Sequence, residues 1–216
     1  MEQIIAHEHF GSQNTSSKRL YKKGEVVYYE DTPSFGFFYV SKGTIKIFTQ
    51  DSQGREVILR LAKTGDIFGH AFLFGQRNHI NSAKAVEETE CDFVEGVKFQ
   101  STIINNPGLG FMVMKKIGKE LSLFQNRCVD LMKKNVRERL ASYFYYMSLH
   151  HSENDEDGLK INVQLSREEI ASIIGTANET AIRFISEFKE LGLIREEDRF
   201  FHILDKERLA NMGRLE

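Results

Sequence analysis

The chain has 216 residues, of which 41% are hydrophobic and 28% charged, and its formal net charge is −2. These values are ordinary for a globular protein, so they exclude an intrinsically disordered chain and leave room for one large domain or two small ones. No apolar run approaches the roughly 18 residues of a membrane span, and the polar N-terminus (MEQIIAHEHF) lacks a secretory pattern, so we expect a cytoplasmic protein without a membrane segment. The two cysteines, Cys91 and Cys128, are too few for a disulfide framework, a four-thiolate iron–sulfur cluster within one chain or a Cys-only zinc site.

Residues 20–99 have the composition of β-strands, rich in β-branched and aromatic residues in the segments LYKKGEVVYYE, GFFYVSKGTIKIFTQD, GREVILRLA and DFVEGVKF. Gly43, Gly54 and Gly65 are evenly spaced, as expected for turns between short antiparallel strands. In TIKIF, alternation places Ile45 and Ile47 on one face, so at least one face of this strand should pack on a core. The pattern predicts an all-β N-terminal domain that forms a sandwich or barrel.

A long helix is predicted after the segment Asn105-Asn106-Pro107-Gly108, running to about residue 134. Its apolar residues recur with alternating spacings of three and four, which is typical of a helix that packs against another helix. These residues are Met114, Ile117, Leu121, Phe124, Cys128 and Leu131. We therefore predict that the helix pairs with its copy in a homodimer, the alternative being that it packs on its own β domain.

A second helix is predicted over residues 136–150, followed by an acidic loop, HSENDEDG. Further on, Ser166 and Glu169 have the spacing of a capping box that opens a helix, and Gly175 is suited to end it. Thr176 and Glu179 suggest a second capping box immediately afterwards. Two short helices joined at a glycine corner predict a helix-turn-helix.

On the second of these helices, four residues form a stripe opposite the apolar face: Asn178, Glu179, Ile182 and Arg183. A helix fits the DNA major groove, where Arg binds guanine and Glu accepts a hydrogen bond from cytosine. The alternative is that Glu179 caps the helix and forms only a surface ion pair with Arg183. The segment LIREEDRFFHIL then predicts two strands around residues 196–198, which makes the motif a winged helix-turn-helix.

The segment SREEIASIIGTANETAIRFISEFKELGLI resembles the DNA-reading part of the Crp–Fnr transcription regulators, and GEVVYYEDTPSFGFFYVSKGTIKIF with GREVILRLAKTGDIFG is similar to their cyclic-nucleotide-binding β-roll. The segment LMKKNVRERLASYFYYMS resembles the end of their dimer helix. The resemblance implies an α+β architecture with three parts: a jelly-roll sensor over residues 1–107, a dimerisation helix over 108–134 and a winged helix-turn-helix DNA-binding domain over 135–216. It also implies a non-enzymatic regulator whose partners are double-stranded DNA, a second copy of the chain and RNA polymerase.

The resemblance assigns the base-reading pair of the family to Glu179 and Arg183, with Asn178 and Ile182 at positions that vary among its members. Contacts to DNA phosphates fall on Ser166, Arg167 and Thr176.

The effector site departs from the family pattern. Where the family has a Gly-Glu-Leu turn, this chain has Gly69-His70-Ala71, and where it has an Arg-Ser pair, this chain has Asn81-Ser82. Without the arginine, a buried phosphate loses a charge-assisted partner, so we expect that cyclic AMP is not bound in the usual way.

The helix residues that would face an adenine are Phe124 and Gln125, and these also depart from the family pattern. The iron–sulfur cysteines of the oxygen-sensing branch are absent as well. His70 or His79 could ligate a haem iron as in gas-sensing relatives, although solvated histidines are more common. The effector is not identified by the sequence.

Two other functions compete with the regulator. An enzyme on the β-roll would need several histidines with a carboxylate at one metal site, and the β region offers only His70 and His79. An interaction module without DNA binding is favoured by the charge of residues 135–216, where 11 Lys and Arg face 16 Asp and Glu. Such a domain binds DNA well only if its cations share one face. The cations in question are Arg167, Arg183, Lys189, Arg195 and Arg199.

Overall fold

The computed structural model describes residues 16–155 and 158–214, so the N-terminal segment that was read for a secretory signal lies outside the described residues. Contacts divide the chain into two compact units, Met1–Ser122 and Leu123–Glu216. No helix in the described ranges is long and apolar enough to cross a membrane.

The first unit is built on two four-stranded antiparallel sheets. The strands are β1 (Ser16–Tyr21), β2 (Val26–Tyr28), β3 (Gly36–Lys42), β4 (Thr44–Gln50), β5 (Glu56–Lys63), β6 (Ile67–Phe68), β7 (Ser82–Ala85) and β8 (Thr89–Glu95). One sheet has the order β1-β8-β3-β6 and the other β2-β7-β4-β5. The neighbours in each sheet are often distant in sequence, as in a jelly roll, and this confirms the predicted all-β sensor.

The core of this unit is formed by the apolar side chains of both sheets. Large side chains such as Phe68 and Ile45 are fully buried, together with Phe38, Val40 and Ala83. Strand β4 is covered on both faces, since every residue from Thr44 to Phe48 is buried. The ammonium of Lys46 on this strand is paired with Glu56 at 2.6 Å, which compensates for its burial.

Two helices follow the strands, α1 (Gly96–Asn105) and α2 (Pro107–Lys133), and a short 3-10 segment (His70–Phe74) lies between β6 and β7. The prediction that all of DFVEGVKF is a strand was wrong, because β8 ends at Glu95 and residues 97–99 belong to α1. Phe99 is buried there against Phe37, with an edge-to-face ring contact of 4.9 Å. The predicted long helix is confirmed as α2, and Leu109 and Val113 pack in the same cluster.

The second unit contains α3 (Val136–His150), β9 (Ser152–Asp155), β10 (Gly158–Ile161), α4 (Arg167–Ile174), α5 (Asn178–Glu190), β11 (Ile194–Glu197), β12 (Phe200–Ile203) and α6 (Lys206–Met212). The strands form one antiparallel sheet of order β11-β12-β10-β9. The predicted helix over 136–150 is confirmed. The predicted acidic loop HSENDEDG is wrong in part, because Ser152–Asp155 forms β9, an edge strand that pairs with β10. Edge pairing uses backbone groups, so it does not need the apolar residues that the sequence argument sought.

Candidate functional site: a nucleic-acid interface and a sensor interior

The helix-turn-helix corner is formed by α4, Gly175 and α5. The predicted capping box is present, since Ser166 Oγ accepts a hydrogen bond from the Glu169 amide at 3.1 Å and the Ser166 amide donates to Glu169 Oε2 at 2.8 Å. Gly175 ends α4 with φ of 68°, a left-handed conformation that favours glycine. Residues close in sequence therefore fix both the start and the end of α4.

The second predicted capping box, Thr176 with Glu179, was wrong. Helix α5 begins at Asn178, its N-cap is Ala177, and no side chain caps it. The amide of Thr176 instead donates to Ala171 at 3.0 Å, within the turn that closes α4. Thr176 thus belongs to the C-terminal cap of α4, although the sequence argument assigned it to the next helix. Its contact with a DNA phosphate stays a prediction.

Two arginines that the sequence argument missed hold this corner from outside it. Arg127, near the end of α2, donates to the carbonyl of Ile173 at 2.8 Å. Arg139 on α3 donates to Ile174 at 2.7 Å and to Gly175 at 3.1 Å. These are carbonyls at the C-terminus of α4, which carries a partial negative charge that arginine compensates.

The predicted base-reading stripe lies on the outer side of α5. Glu179, Ile182 and Arg183 are exposed, whereas Asn178 is half-buried. The opposite side, with Ala181, Ile185 and Phe188, is buried, and Phe184 is half-buried. Three residues of the stripe are thus available to a partner, as a groove-reading helix requires.

The alternative interpretation of the stripe was an ion pair between Glu179 and Arg183. Within the described part of the chain, neither residue forms an ion pair. The guanidinium of Arg183 instead lies 4.9 Å from the ring centroid of Phe184. Neither charge of the stripe is therefore neutralised by an ion pair with another described residue.

The wing, which is the hairpin of β11 and β12, carries carboxylates that pair with nearby cations. Nη2 of Arg167 lies 2.6 Å from both carboxylate oxygens of Glu196, and Nζ of Lys189 lies 3.0 Å from one of them. Burial opposes ionisation of Glu196, but hydrogen bonds from Lys189 and Arg167 outweigh it and lower the pKa of Glu196. Arg195 pairs in the same way with Glu197 at 3.1 Å.

The wing hairpin has a shorter turn than predicted, which begins at Asp198 and not at Glu196. Glu196 and Glu197 belong to β11, and the turn residues are Asp198 and Arg199. Both have positive φ, 49° and 67°, as in the two-residue turns whose twist suits a hairpin. Asp tolerates this conformation, so the missing glycine does not prevent the turn.

The predicted dimer helix α2 has an exposed apolar face. Its residues Met114, Leu121, Phe124 and Leu131 are exposed, and Cys128 is half-buried. Phe111 and Met132, which the sequence argument left out, are exposed as well, at 68% and 77%. Ile117 differs from the rest, because it packs against the cluster of Phe37 and Phe99 in its own β-roll.

Two candidate effector residues of the β-roll, Gly69 and Asn81, lie against the side chain of Tyr28. Its hydroxyl donates to Oδ1 of Asn81 at 3.2 Å, and its ring stacks on His79 with 3.7 Å between centroids. A Cβ added at Gly69 would lie 3.0 Å from the Tyr28 ring. Tyr28 therefore spans the two segments, Gly69-His70-Ala71 and Asn81-Ser82, that bind the nucleotide in the family.

The hydroxyl of Ser82 is already engaged, since it accepts a hydrogen bond from the Glu30 amide at 2.9 Å. Burial raises the pKa of Tyr28, so its hydroxyl keeps its proton and remains a donor. Burial lowers the pKa of His79. The Nδ1 atom of His79 is buried with no hydrogen-bond partner in the described residues.

His70 lies beside a half-buried ion pair that the sequence argument missed. Nε of Arg60 on β5 lies 2.7 Å from Oε1 of Glu120 on α2, and Nε2 of His70 lies 4.0 Å from the other oxygen. Burial, followed by the nearby Arg60 charge, lowers the pKa of His70 to about 4, while burial raises the pKa of Glu120. At neutral pH His70 is thus an uncharged neighbour of the Arg60–Glu120 pair. Phe124 and Gln125 are exposed and belong to the second unit.

Comparison with known proteins gives matches for both parts. Residues 18–106 match the cyclic nucleotide-binding domain, and residues 138–212 match the Crp-like helix-turn-helix domain. A "CRP-like cAMP-activated global transcriptional regulator" of Mycobacterium tuberculosis is 25% identical over 194 residues, covering 90% of this chain and 87% of the relative. The "Fumarate and nitrate reduction regulatory protein" of Escherichia coli is 24% identical over 196 residues, covering 91% and 78%.

Solved structures share the fold. FixK2 from Bradyrhizobium japonicum superposes with a TM-score of 0.81 at 22% identity, covering 91% of this chain and 96% of that one. A β-roll sensor, a long helix and a winged helix-turn-helix together define a DNA-binding transcription regulator. More specifically, the chain belongs to the Crp–Fnr family.

Proposed function

We propose that the protein acts as a homodimer that binds an inverted repeat, with Glu179 and Arg183 reading base edges and Ser166, Arg167 and Thr176 contacting phosphates. The observation that carries this proposal is the exposed stripe on α5, in which Glu179 and Arg183 form no ion pair with another described residue. In a two-fold dimer, such helices enter successive major grooves about 34–36 Å apart.

The test is selection of random duplexes followed by titration at several salt concentrations. Arg183→Ala should cost ~1–3 kcal/mol on the selected site and relax the preference at one symmetric base pair. Arg183→Lys is the matched control, because it keeps the charge and loses the bidentate geometry, so it should relax the preference in the same way. Arg167→Ala should weaken all sequences alike and reduce the salt slope by about one. An unchanged motif in Arg183→Ala would favour the interaction module instead.

We further propose that the effector is not cyclic AMP bound in the family manner, and that the iron–sulfur chemistry of the oxygen-sensing branch is not used. The first point is supported by the position of Tyr28 between the two nucleotide-binding segments. The second is supported by the cysteine count, since Cys91 and Cys128 cannot supply four thiolates within one chain. The M. tuberculosis relative is described as cAMP-activated, so effector use would differ between these two members.

Haem is the remaining named candidate for an effector group. His70, with its pKa of about 4, is uncharged at neutral pH, and a neutral imidazole is the form that ligates iron. The absorption spectrum and the mass of the protein as purified test this possibility together with any other bound molecule. As a DNA-binding regulator, the protein would work in the cytoplasm with RNA polymerase as its partner.

A further inference from the structure

The side chain of Glu196 on the wing strand β11 binds two cations at once. One is Arg167, at the start of α4, at 2.6 Å, and the other is Lys189, in the last turn of α5, at 3.0 Å. The side chain of Glu196 is half-buried, with 26% of its surface exposed. One carboxylate thus compensates cations from both helices of the helix-turn-helix.

The neighbouring strand fixes this arrangement. Glu196 is directly opposite Phe201 on β12, and the guanidinium of Arg167 lies 4.7 Å from the centroid of the Phe201 ring. The two cross-strand neighbours therefore hold Arg167 between a carboxylate and an aromatic face, which restricts the geometry more than a simple surface ion pair does.

We propose that Glu196 is a positioning residue that competes with DNA phosphates for Arg167 and Lys189, and so sets the affinity and the salt dependence of DNA binding. This inference rests on the proposed phosphate contact of Arg167. A phosphate that binds Arg167 must replace the carboxylate, and the displaced carboxylate stays close to the DNA backbone. Both effects weaken binding, because affinity depends on how many phosphates the protein neutralises.

The same arrangement bears on how a domain whose residues 135–216 carry an acidic net charge can bind DNA. Arg167 is a predicted phosphate contact and Lys189 binds the same carboxylate, so Glu196 reduces the combined charge of these two cations from +2 to +1. Sequence-independent attraction is thereby kept low. Base recognition by Arg183, which has no ion pair in the described ranges, is left intact.

The experiment compares the full-length protein with its Glu196→Gln variant, which keeps the shape of the side chain and removes the charge. Affinity for a random-sequence duplex and for the selected site is measured by fluorescence anisotropy at several salt concentrations. We expect binding to tighten several-fold on both duplexes and the salt slope to steepen by about one. Glu196→Ala should act in the same direction. Agreement between the two variants would show that the effect does not come from a folding defect of one of them.

Glu197→Gln is the matched control. It removes the same charge one position along β11, where alternation turns the side chain to the opposite face, and where Glu197 pairs with Arg195 instead. An equal gain in Glu197→Gln would overturn the inference, because the effect would then be one of net charge. Weaker binding by Glu196→Gln would also overturn it, since Glu196 would then orient Arg167 toward the DNA.

A second arm examines whether the gain passes through Arg167. In an Arg167→Ala background the gain from Glu196→Gln should be smaller than in the wild-type protein, and an equal gain would contradict the proposal. The proposed function is tested separately by Arg183→Ala on the selected site. An effect of Arg183→Ala without one of Glu196→Gln leaves the function standing and overturns this inference. Absence of DNA binding by both the wild-type and the Glu196→Gln proteins at low salt overturns both.

Discussion

Arg127 donates a hydrogen bond of 2.8 Å to the backbone carbonyl of Ile173. Arg127 lies in the last part of the long helix α2, and Ile173 lies in the last turn of the first helix of the helix-turn-helix. Leu131, one turn further along α2, also lies close to this corner, since a Cβ atom placed on Gly175 would be 2.8 Å from its side chain. The end of the predicted dimer helix is thus in direct contact with the corner that positions the DNA-reading helix.

This contact predicts that Arg127→Ala destabilises the second unit. The variant leaves a carbonyl at a helix C-terminus without its charged donor, and hydrogen bonds to charged groups contribute about 1.5–3 kcal/mol. We expect a loss of that size in the free energy of unfolding, measured in urea by circular dichroism. Arg137→Ala is the control, because Arg137 forms a partly exposed ion pair with Glu187, and ion pairs near the surface contribute about 0–1 kcal/mol. Equal losses in the two variants would contradict a special role for Arg127.

The exposed apolar face of α2 predicts the behaviour of Leu121→Glu. If this face pairs with its copy, a charge at Leu121, which is 56% exposed in one chain, must be buried in the dimer. Removing one such apolar contact costs ~2–5 kcal/mol, and a buried charge adds to that cost. Light scattering should therefore show a monomer. Asn126→Glu introduces the same charge on the opposite side of the helix and should leave the dimer intact. A dimer of unchanged mass for Leu121→Glu would show that another surface associates.

The contrast between the two helix N-termini shows where sequence reasoning succeeds. Ser166 and Glu169 cap each other through contacts three residues apart, so the spacing alone predicts the start of α4. Thr176 and Glu179 have the same spacing, but the Thr176 amide is required to close the turn after Gly175, and α5 starts two residues later. Local spacing identifies a possible cap, whereas tertiary context decides which of two overlapping motifs forms.

The residues that sequence reasoning missed act over long sequence separations. Arg60 and Glu120 are paired in the β-roll although sixty positions separate them, and Glu196 pairs with Arg167 from the wing. Tyr28 lies in the quoted β-roll segment GEVVYYEDTPSFGFFYVSKGTIKIF, but its contacts with Gly69 and Asn81 join positions more than forty residues away in sequence. Such pairs depend on the fold that brings distant elements together, so no local pattern predicts them.

The position of Tyr28 predicts that calorimetric titration with cyclic AMP gives no saturable heat. The nucleotide would have to displace a buried ring that stacks on His79 and bonds to Asn81, and its phosphate would find no arginine in place of Asn81. Loss of a charge-assisted partner of this kind costs about 1.5–3 kcal/mol, to which the displaced ring adds. Micromolar affinity would contradict this prediction. In that event Arg77→Ala would test whether exposed Arg77 moves in as the missing partner.

The half-buried imidazole of His70 predicts how stability depends on pH. Its pKa in the folded protein is about 4, lowered first by burial and then by the Arg60 charge, whereas in the unfolded chain it is close to 6.5. Between these two values the unfolded state binds more protons than the folded state. Stability therefore rises with pH across this window and falls as the pH is lowered from about 6.5 to about 4.

We expect the wild-type protein to lose about 2 kcal/mol more stability than His70→Gln when the pH is lowered from 7 to 5. The comparison between the two proteins is needed because Glu120, whose pKa is raised by burial, contributes with the opposite sign. His70→Gln keeps a polar side chain of similar size and cannot be protonated, so it should unfold with a flatter pH profile in urea. His79→Gln provides a second comparison, since burial lowers the pKa of His79 in the same direction. If the wild-type and His70→Gln profiles run parallel, the pKa of His70 in the folded protein is close to its value in the unfolded chain, and burial does not oppose its protonation.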